Sequence, residues 1–375
     1  MGPRSMSETP SRLQREAARH IVSRYLKVRD GEAAIVESWE HTRPMAAAMV
    51  DELRRVGSKV LFVYNDEDSW WRTIDRRQAP LLGDSSPPEW AALKAADLYV
   101  NFWGPGDTDR IEALPDEPGD QAFAWLGPWY AAARTAGLRG VRMTTGFVTA
   151  GRGRQWGLNL ARWSEQMLRA SLTDPELLAR RGRRLARALA HGTTVRVTHA
   201  NGTDVELGLG STVPRVLDGR PRPFRTGDPP SGMLQQVPAG AVQVALDAKT
   251  AEGQIQANRR TNIWWNWSSG GALRFAKGRL ASYGFEQEGG TPFARQYATG
   301  TAGRDRTGYL TFGVNPDVHD VANLETIEEG SVTLAVGRNG HLGGKNASSF
   351  MSWVTLAGAD VAIDGDVVIR RGRLR

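Results

Sequence analysis

Cysteine is absent from this 375-residue chain, and lysine is scarce. Without a thiol there is no disulfide, no thiolate metal centre and no cysteine nucleophile. Histidine is rare as well: His20, His41, His191, His199, His319 and His341 are all that is available for imidazole chemistry. No two of them stand at i, i+2 or i, i+4, so the sequence writes no metal-binding histidine pair. A Gly-x-Ser-x-Gly elbow is missing too, and no Ser-His-Asp order is evident. No apolar run approaches the ~20 residues that span a bilayer, so no membrane role is expected. The opening MGPRSMSETPSR has no apolar segment of the kind a secretory signal needs. Met1–Ser5 reads as a cloning leader before a native start at Met6, and a cytoplasmic protein is expected.

What is present is ordinary for a globular protein: 40 % hydrophobic and 24 % charged residues, in a chain long enough for two cores. The formal charge of +7 rests almost wholly on arginine, since only Lys27, Lys59, Lys94, Lys249, Lys277 and Lys345 are lysines. The densest run, Arg180-Arg181-Gly182-Arg183-Arg184, falls in a helical pattern whose other face is apolar. A single charge run of this kind reads as a solvated helix face, and no nucleic-acid partner is expected.

Periodicity divides the chain into two textures. Residues 10–28 read as a helix. Ala33–Val36, Lys59–Tyr64 and Asp97–Phe102 read as strands, separated by a helix that Thr42 caps and another around Glu89–Ala95. Strands alternating with helices at this spacing predict a layered α/β domain with a mainly parallel sheet. Asn65-Asp66-Glu67 and Gly104-Pro105-Gly106 follow strand ends, where such sheets place ligands, although neither forms a phosphate loop. Trp156–Ala190 reads as helix, broken at Thr173-Asp174-Pro175. Asn201-Gly202 then turns a hairpin, and seven further strands are predicted, the last two Trp353–Ile363 and Val367–Ile369. The expected organisation is a disordered 1–10, an α/β domain over 11–190 and a strand-rich α+β domain over 191–375. The Pro-, Arg- and Gly-rich Asp218–Gly232 reads as a loop. Gly343–Ile369 has the small polar residues of a pocket-lining hairpin, turned at Asp364-Gly365.

Six stretches stand out: Lys27–Glu32, Arg162-Trp163, Val195–Asp204, the Arg304…Gly308…Gly313-Val314-Asn315-Pro316 block, Gly330–Gly337, and Asn346-Ala347-Ser348 with Met351-Ser352-Trp353. Together they resemble the aminopeptidase T/aminopeptidase S family of thermophilic metallopeptidases, with its related dihydroxypyridine dioxygenase branch. The resemblance implies an aminopeptidase T-like two-domain architecture, a homodimer, and a two-metal site built from carboxylates and histidines in a cleft between the domains. Carried over position by position, that cage falls on Ala241, Tyr309, Thr333, Met351 and Trp353. None of these is a strong ligand for a hard divalent ion. The chain is therefore expected to hold no metal and to need no cofactor.

The resemblance also sets the family's catalytic tyrosine near His341, which reads either as an acid–base residue or as an exposed loop histidine. Tyr309 is its proposed partner. Substrate contacts are expected from Thr333, Met351, Trp353, Asn346 and Ser348, and from Trp265 in the aromatic run Trp264-Trp265-Asn266-Trp267. Arg304 and Arg306 would clamp a carboxylate, unless they pair with nearby acids. The resulting expectation is a metal-independent enzyme of small-molecule, specialised metabolism, acting on an amino-acid-derived or aromatic substrate. The alternatives are a non-catalytic ligand-binding or partner protein, and a divalent-metal aminopeptidase with a non-standard site.

Overall fold

A computed structural model describes residues 9–223, 233–263, 266–268, 270–285 and 290–375. Among them, no helix is long and apolar enough to cross a membrane. The chain folds as two compact units, Met1–Leu172 with Gly219–Pro238, and Thr173–Asp218 with Ala239–Arg375. The units thus do not follow a single cut near residue 190. Helix Pro175–His191 belongs to the second unit, because its apolar stripe ends in Leu185 and Leu189, which join that unit's core.

The first unit is built on a five-stranded, wholly parallel sheet. Its order is Lys59–Asn65, Ala33–Trp39, Leu98–Phe102, Arg139–Met143, Leu234–Val237. Two of these strands escape the periodicity reading. Arg139–Met143 carries two arginines that break its apolar run, and Leu234–Val237 is only four residues long. The first helix is the regular Arg12–His20, closed by a capping box between Ser11 and Gln14, and it passes into a π-helical turn, Ile21–Leu26. Thr42 does not cap its helix. Its hydroxyl instead binds the Trp39 amide at 3.0 Å and the Ser38 hydroxyl at 2.9 Å, tying the end of the first strand.

The second unit packs two antiparallel sheets face to face. An eight-stranded sheet supplies Val195, Val197, Ile255, Leu273 and Phe275 to the shared core. A five-stranded sheet supplies Val242, Leu310, Phe312, Leu334 and Val354. Its strand order is Met351–Leu356, Val332–Gly337, Thr307–Gly313, Ala241–Ala245, Arg215–Leu217. The single strand expected over Trp353–Ile363 is in fact two: Met351–Leu356 lies in the five-stranded sheet and Asp360–Ile363 in the eight-stranded one. Gly358 makes the crossing with φ +79°, a conformation that favours glycine.

Asp364-Gly365 does turn the next hairpin, with φ +48° and +94°. The Asp364 carboxylate also accepts from both the amide and the hydroxyl of Thr193 and of Thr194, at 2.8–3.1 Å. Those bonds, led by the Thr193 hydroxyl, pull its pKa down to about 2. A carboxyl depressed on folding stabilises above its unfolded value of about 3.9 and loses that contribution as pH falls toward the folded value. The melting-temperature advantage of the wild type over Asp364→Asn is therefore expected to shrink between pH 5 and pH 2.5 (two points bracketing that window). A pH-independent difference would remove the charged form from the account.

Candidate functional site

Side chains alternate across a strand, so positions two apart share a face. In the five-stranded sheet one face is the core already described. The other carries Ala245, Tyr309 and Ala335 packed with Leu342, and Met351 and Trp353 lie against them. Ala245 is paired with Tyr309, and Ala335 with Trp353. The next row on the same face is polar: Arg215, Gln243, Thr311, Thr333 and Thr355 follow one another in register. Gln243 donates to the Thr311 hydroxyl at 3.2 Å, and the Thr333 and Thr355 hydroxyls lie 2.9 Å apart. The strands thus bring Tyr309, Thr333, Met351 and Trp353 onto one surface, with Ala241 at its far end.

The strand Val332–Gly337 leads into the short 3-10 turn Gly340–Leu342, which holds His341. The imidazole meets the Tyr309 ring edge-on, with centroids 5.0 Å apart and planes at 87°. Neither side chain hydrogen-bonds to another described residue. Burial, then the charges of Arg338 and Arg215, lower the His341 pKa and favour the neutral imidazole. Burial pushes the Tyr309 phenol up to about 12, against a small opposing pull from Arg338. The pair is therefore a neutral base beside a proton-bearing phenol, in the field of two guanidinium groups.

What fixes the His341 turn is a set of buried amides. Asn339 donates to the Gly308 carbonyl at 2.9 Å and accepts from the Asn346 amide at 2.9 Å. Asn346 donates to the carbonyls of Gly303 and Gly337 at 2.9 and 2.8 Å. Ser348 donates to the Thr301 carbonyl at 3.2 Å and accepts from the Phe350 amide at 3.2 Å. Asn346 and Ser348 therefore hold the loop to the backbone, which is a different use from the substrate contacts expected of them.

Arg304 and Arg306 lie elsewhere in the same unit. They line an open cavity of about 580 Å³ with Arg279, Tyr297, Thr301 and Asp305; Tyr309 and His341 are not part of its lining. The nearby acid Asp305 pairs with Arg279. Arg304 donates to the carbonyls of Ala298 and Gly300, and Arg306 to those of Gly278 and Ala248. Trp265 lies outside the described residues, as does Trp264. No motif marks Arg215, Gln243, Thr311 and Thr355, yet the period-two spacing of the strands signals Thr311 and Thr355. Thr311 stands two residues beyond Tyr309, and Thr355 two beyond Trp353.

Would this surface hold a pair of divalent ions? Such a centre requires several carboxylate or imidazole donors converging on each ion. The face offers an alanine, a methionine, a tryptophan, a threonine bonded to its neighbour and a phenol held in its protonated form. These residues do not fit a two-metal centre. Among the described residues, no group of three or more His, Cys, Asp or Glu could hold a metal ion.

The architecture is thus a parallel α/β unit joined to a strand-rich unit of two packed antiparallel sheets. Wild-type AmpT from Thermus thermophilus has this fold: the two structures match with a TM-score of 0.72 over 97 % of this chain and 99 % of that one, at 16 % identity. The 2,5-dihydroxypyridine dioxygenase of Pseudomonas putida KT2440 matches with a TM-score of 0.63 over 98 % of each chain, at 14 % identity. No protein-family model and no curated protein sequence matches the chain. At these identities the likeness is one of fold.

Proposed function

We propose that the protein is an enzyme of small-molecule metabolism that works without a metal at this surface, using His341 as base and Tyr309 as hydrogen-bond donor. The observation that carries this reading is the edge-to-face pair itself, whose polar ends are free of other described residues. A neutral imidazole accepts a proton at neutral pH, and a phenol with a raised pKa donates a hydrogen bond without losing its own proton. Arg215 and Arg338 favour a reacting group that gains negative charge, as a carbonyl carbon under attack passes it to its oxygen. The apolar wall of Trp353 and Met351 suits an aromatic or amino-acid-derived substrate, with Thr311 and Gln243 as hydrogen-bonding neighbours. The fold shared with AmpT and with the dioxygenase supports an enzyme scaffold, and the altered donor set supports a change of chemistry on it. A homodimer is proposed from the same likeness.

The test is a turnover screen with aromatic amino acids, their amides, esters and carboxylic analogues, read by mass spectrometry before and after exhaustive chelation. Turnover that survives chelation is the expected result. Turnover restored only by added zinc, cobalt, manganese or iron would overturn the metal-free reading. Saturable binding with no turnover across the screen would favour a ligand-binding protein.

A further inference from the structure

A second pocket, wholly inside the first unit, has the makings of a ligand site independent of the Tyr309–His341 surface. In the parallel sheet the chain runs from Ala33–Trp39 outward to Lys59–Asn65 on one side, then returns to place Leu98–Phe102 on the other. The crevice at the carboxyl ends of two strands that part in this way is where open α/β sheets bind ligands. Here it is lined by aromatic side chains to an unusual degree. Trp39 meets Trp70 at 6.2 Å, Trp70 meets Phe123 at 6.0 Å, and Trp125 meets Trp129 at 6.4 Å. Gly104 passes against the Trp39 indole so closely that a Cβ there would lie 2.2 Å from the ring.

The floor carries three polar side chains in register, Glu37, Asn101 and Arg142, from three adjacent strands. Their engagement decides which charge a ligand would bear. Glu37 is already served: Asn65 donates to it at 2.9 Å, Asn101 at 3.2 Å, and the Tyr99 hydroxyl donates as well. Arg142 is not. One of its donors goes to the Tyr130 hydroxyl, its guanidinium sits 4.8 Å over the Trp103 ring, and it forms no ion pair with a described residue. Its Nε is buried and without a hydrogen-bond partner. A buried guanidinium donor without an acceptor is costly, and a carboxylate is the group that matches its planar fork.

We propose that this pocket binds a small aromatic carboxylate, one ring held among the tryptophans and its carboxylate on Arg142. Benzoate is the probe, titrated into the full chain by calorimetry and ligand-observed NMR. The expected result is saturable one-to-one binding, weakened at least about tenfold by Arg142→Gln and in benzyl alcohol, since a charge-assisted bond is lost in each. Arg142→Lys keeps the charge but not the fork, should bind with intermediate affinity, and carries the test if the glutamine variant does not fold. His341→Ala should bind benzoate as the wild type does, which separates this site from the one proposed above. Absence of benzoate binding would overturn the proposal. So would tighter binding of benzylammonium that Glu37→Gln abolishes, or loss of benzoate binding in His341→Ala with none in Arg142→Gln.

Discussion

His341→Ala and Tyr309→Phe should each lower turnover by about 10²–10⁴-fold, the range that a positioned acid or base contributes. The two differ in how they fail. Phenylalanine keeps the ring that packs against Ala245, Ala335 and Leu342, so Tyr309→Phe removes a hydrogen-bond donor and little else. Its melting temperature should stay near that of the wild type while kcat falls. In the wild type, burial and the charges of Arg338 and Arg215 lower the His341 pKa, which keeps the base neutral to lower pH than an ordinary histidine. The acid limb of the rate should therefore lie below that of an unperturbed histidine. Arg338→Gln removes one of the charges that lower this pKa, so the acid limb should move to higher pH. An unshifted limb, or full activity in both single variants, would dismiss the pair as catalytic.

Gly337→Ala should be the most destabilising single substitution around this turn, by about 4 kcal/mol, combining backbone strain with overpacking. Gly337 has φ +94°, and a Cβ there would sit 2.1 Å from the Phe350 carbonyl oxygen. That carbonyl has no room to retreat. It accepts from the Arg338 amide at 2.8 Å, and the Phe350 ring is clamped edge-on between Phe293 and Tyr297 at 5.3 and 5.4 Å. Gly340→Ala is the matched control, because a Cβ at that position meets nothing within 4 Å. Its effect should stay within about 0.5 kcal/mol. Urea unfolding of the two variants decides the matter, and equal midpoints would mean that the strand end is looser than its contacts require.

How much of this was legible beforehand differs between the two units for a physical reason. The α/β texture could be read because helices and apolar parallel strands leave opposite periodicities, and Ala33–Val36 and Lys59–Tyr64 show them plainly. Arg139–Met143 could not, because its pattern is interrupted by Arg139, which pairs with Glu32 at 2.7 Å, and by Arg142, which lies in the aromatic pocket. Resemblance points to the Tyr309 surface at five positions, and strand parity supplies the neighbours that it does not name. The roles of Asn346 and Ser348 could not be foreseen from a motif. Amide and hydroxyl groups serve a ligand or the backbone equally well, and only the fold says that Gly303, Gly337 and Thr301 claim them first. The aromatic pocket escaped for a related reason. Its walls come from Trp39, Trp70, Phe123 and Trp129, which are scattered along the sequence and converge only when the strands are laid side by side.

The strand Leu234–Val237 has a consequence for how the protein can be divided. It completes the first unit's sheet by pairing with Arg139–Met143, but the chain reaches it only after forming the hairpin Thr194–His199 and Thr203–Gly208 of the second unit. A polypeptide released at residue 172 or 190 would carry four of the five strands and leave Arg139–Met143 as a bare edge, open to pairing with other chains. During synthesis the first unit likewise waits for more than sixty further residues before its sheet can close. The protein is made of two units in space, yet it offers no point at which one can be cut away intact.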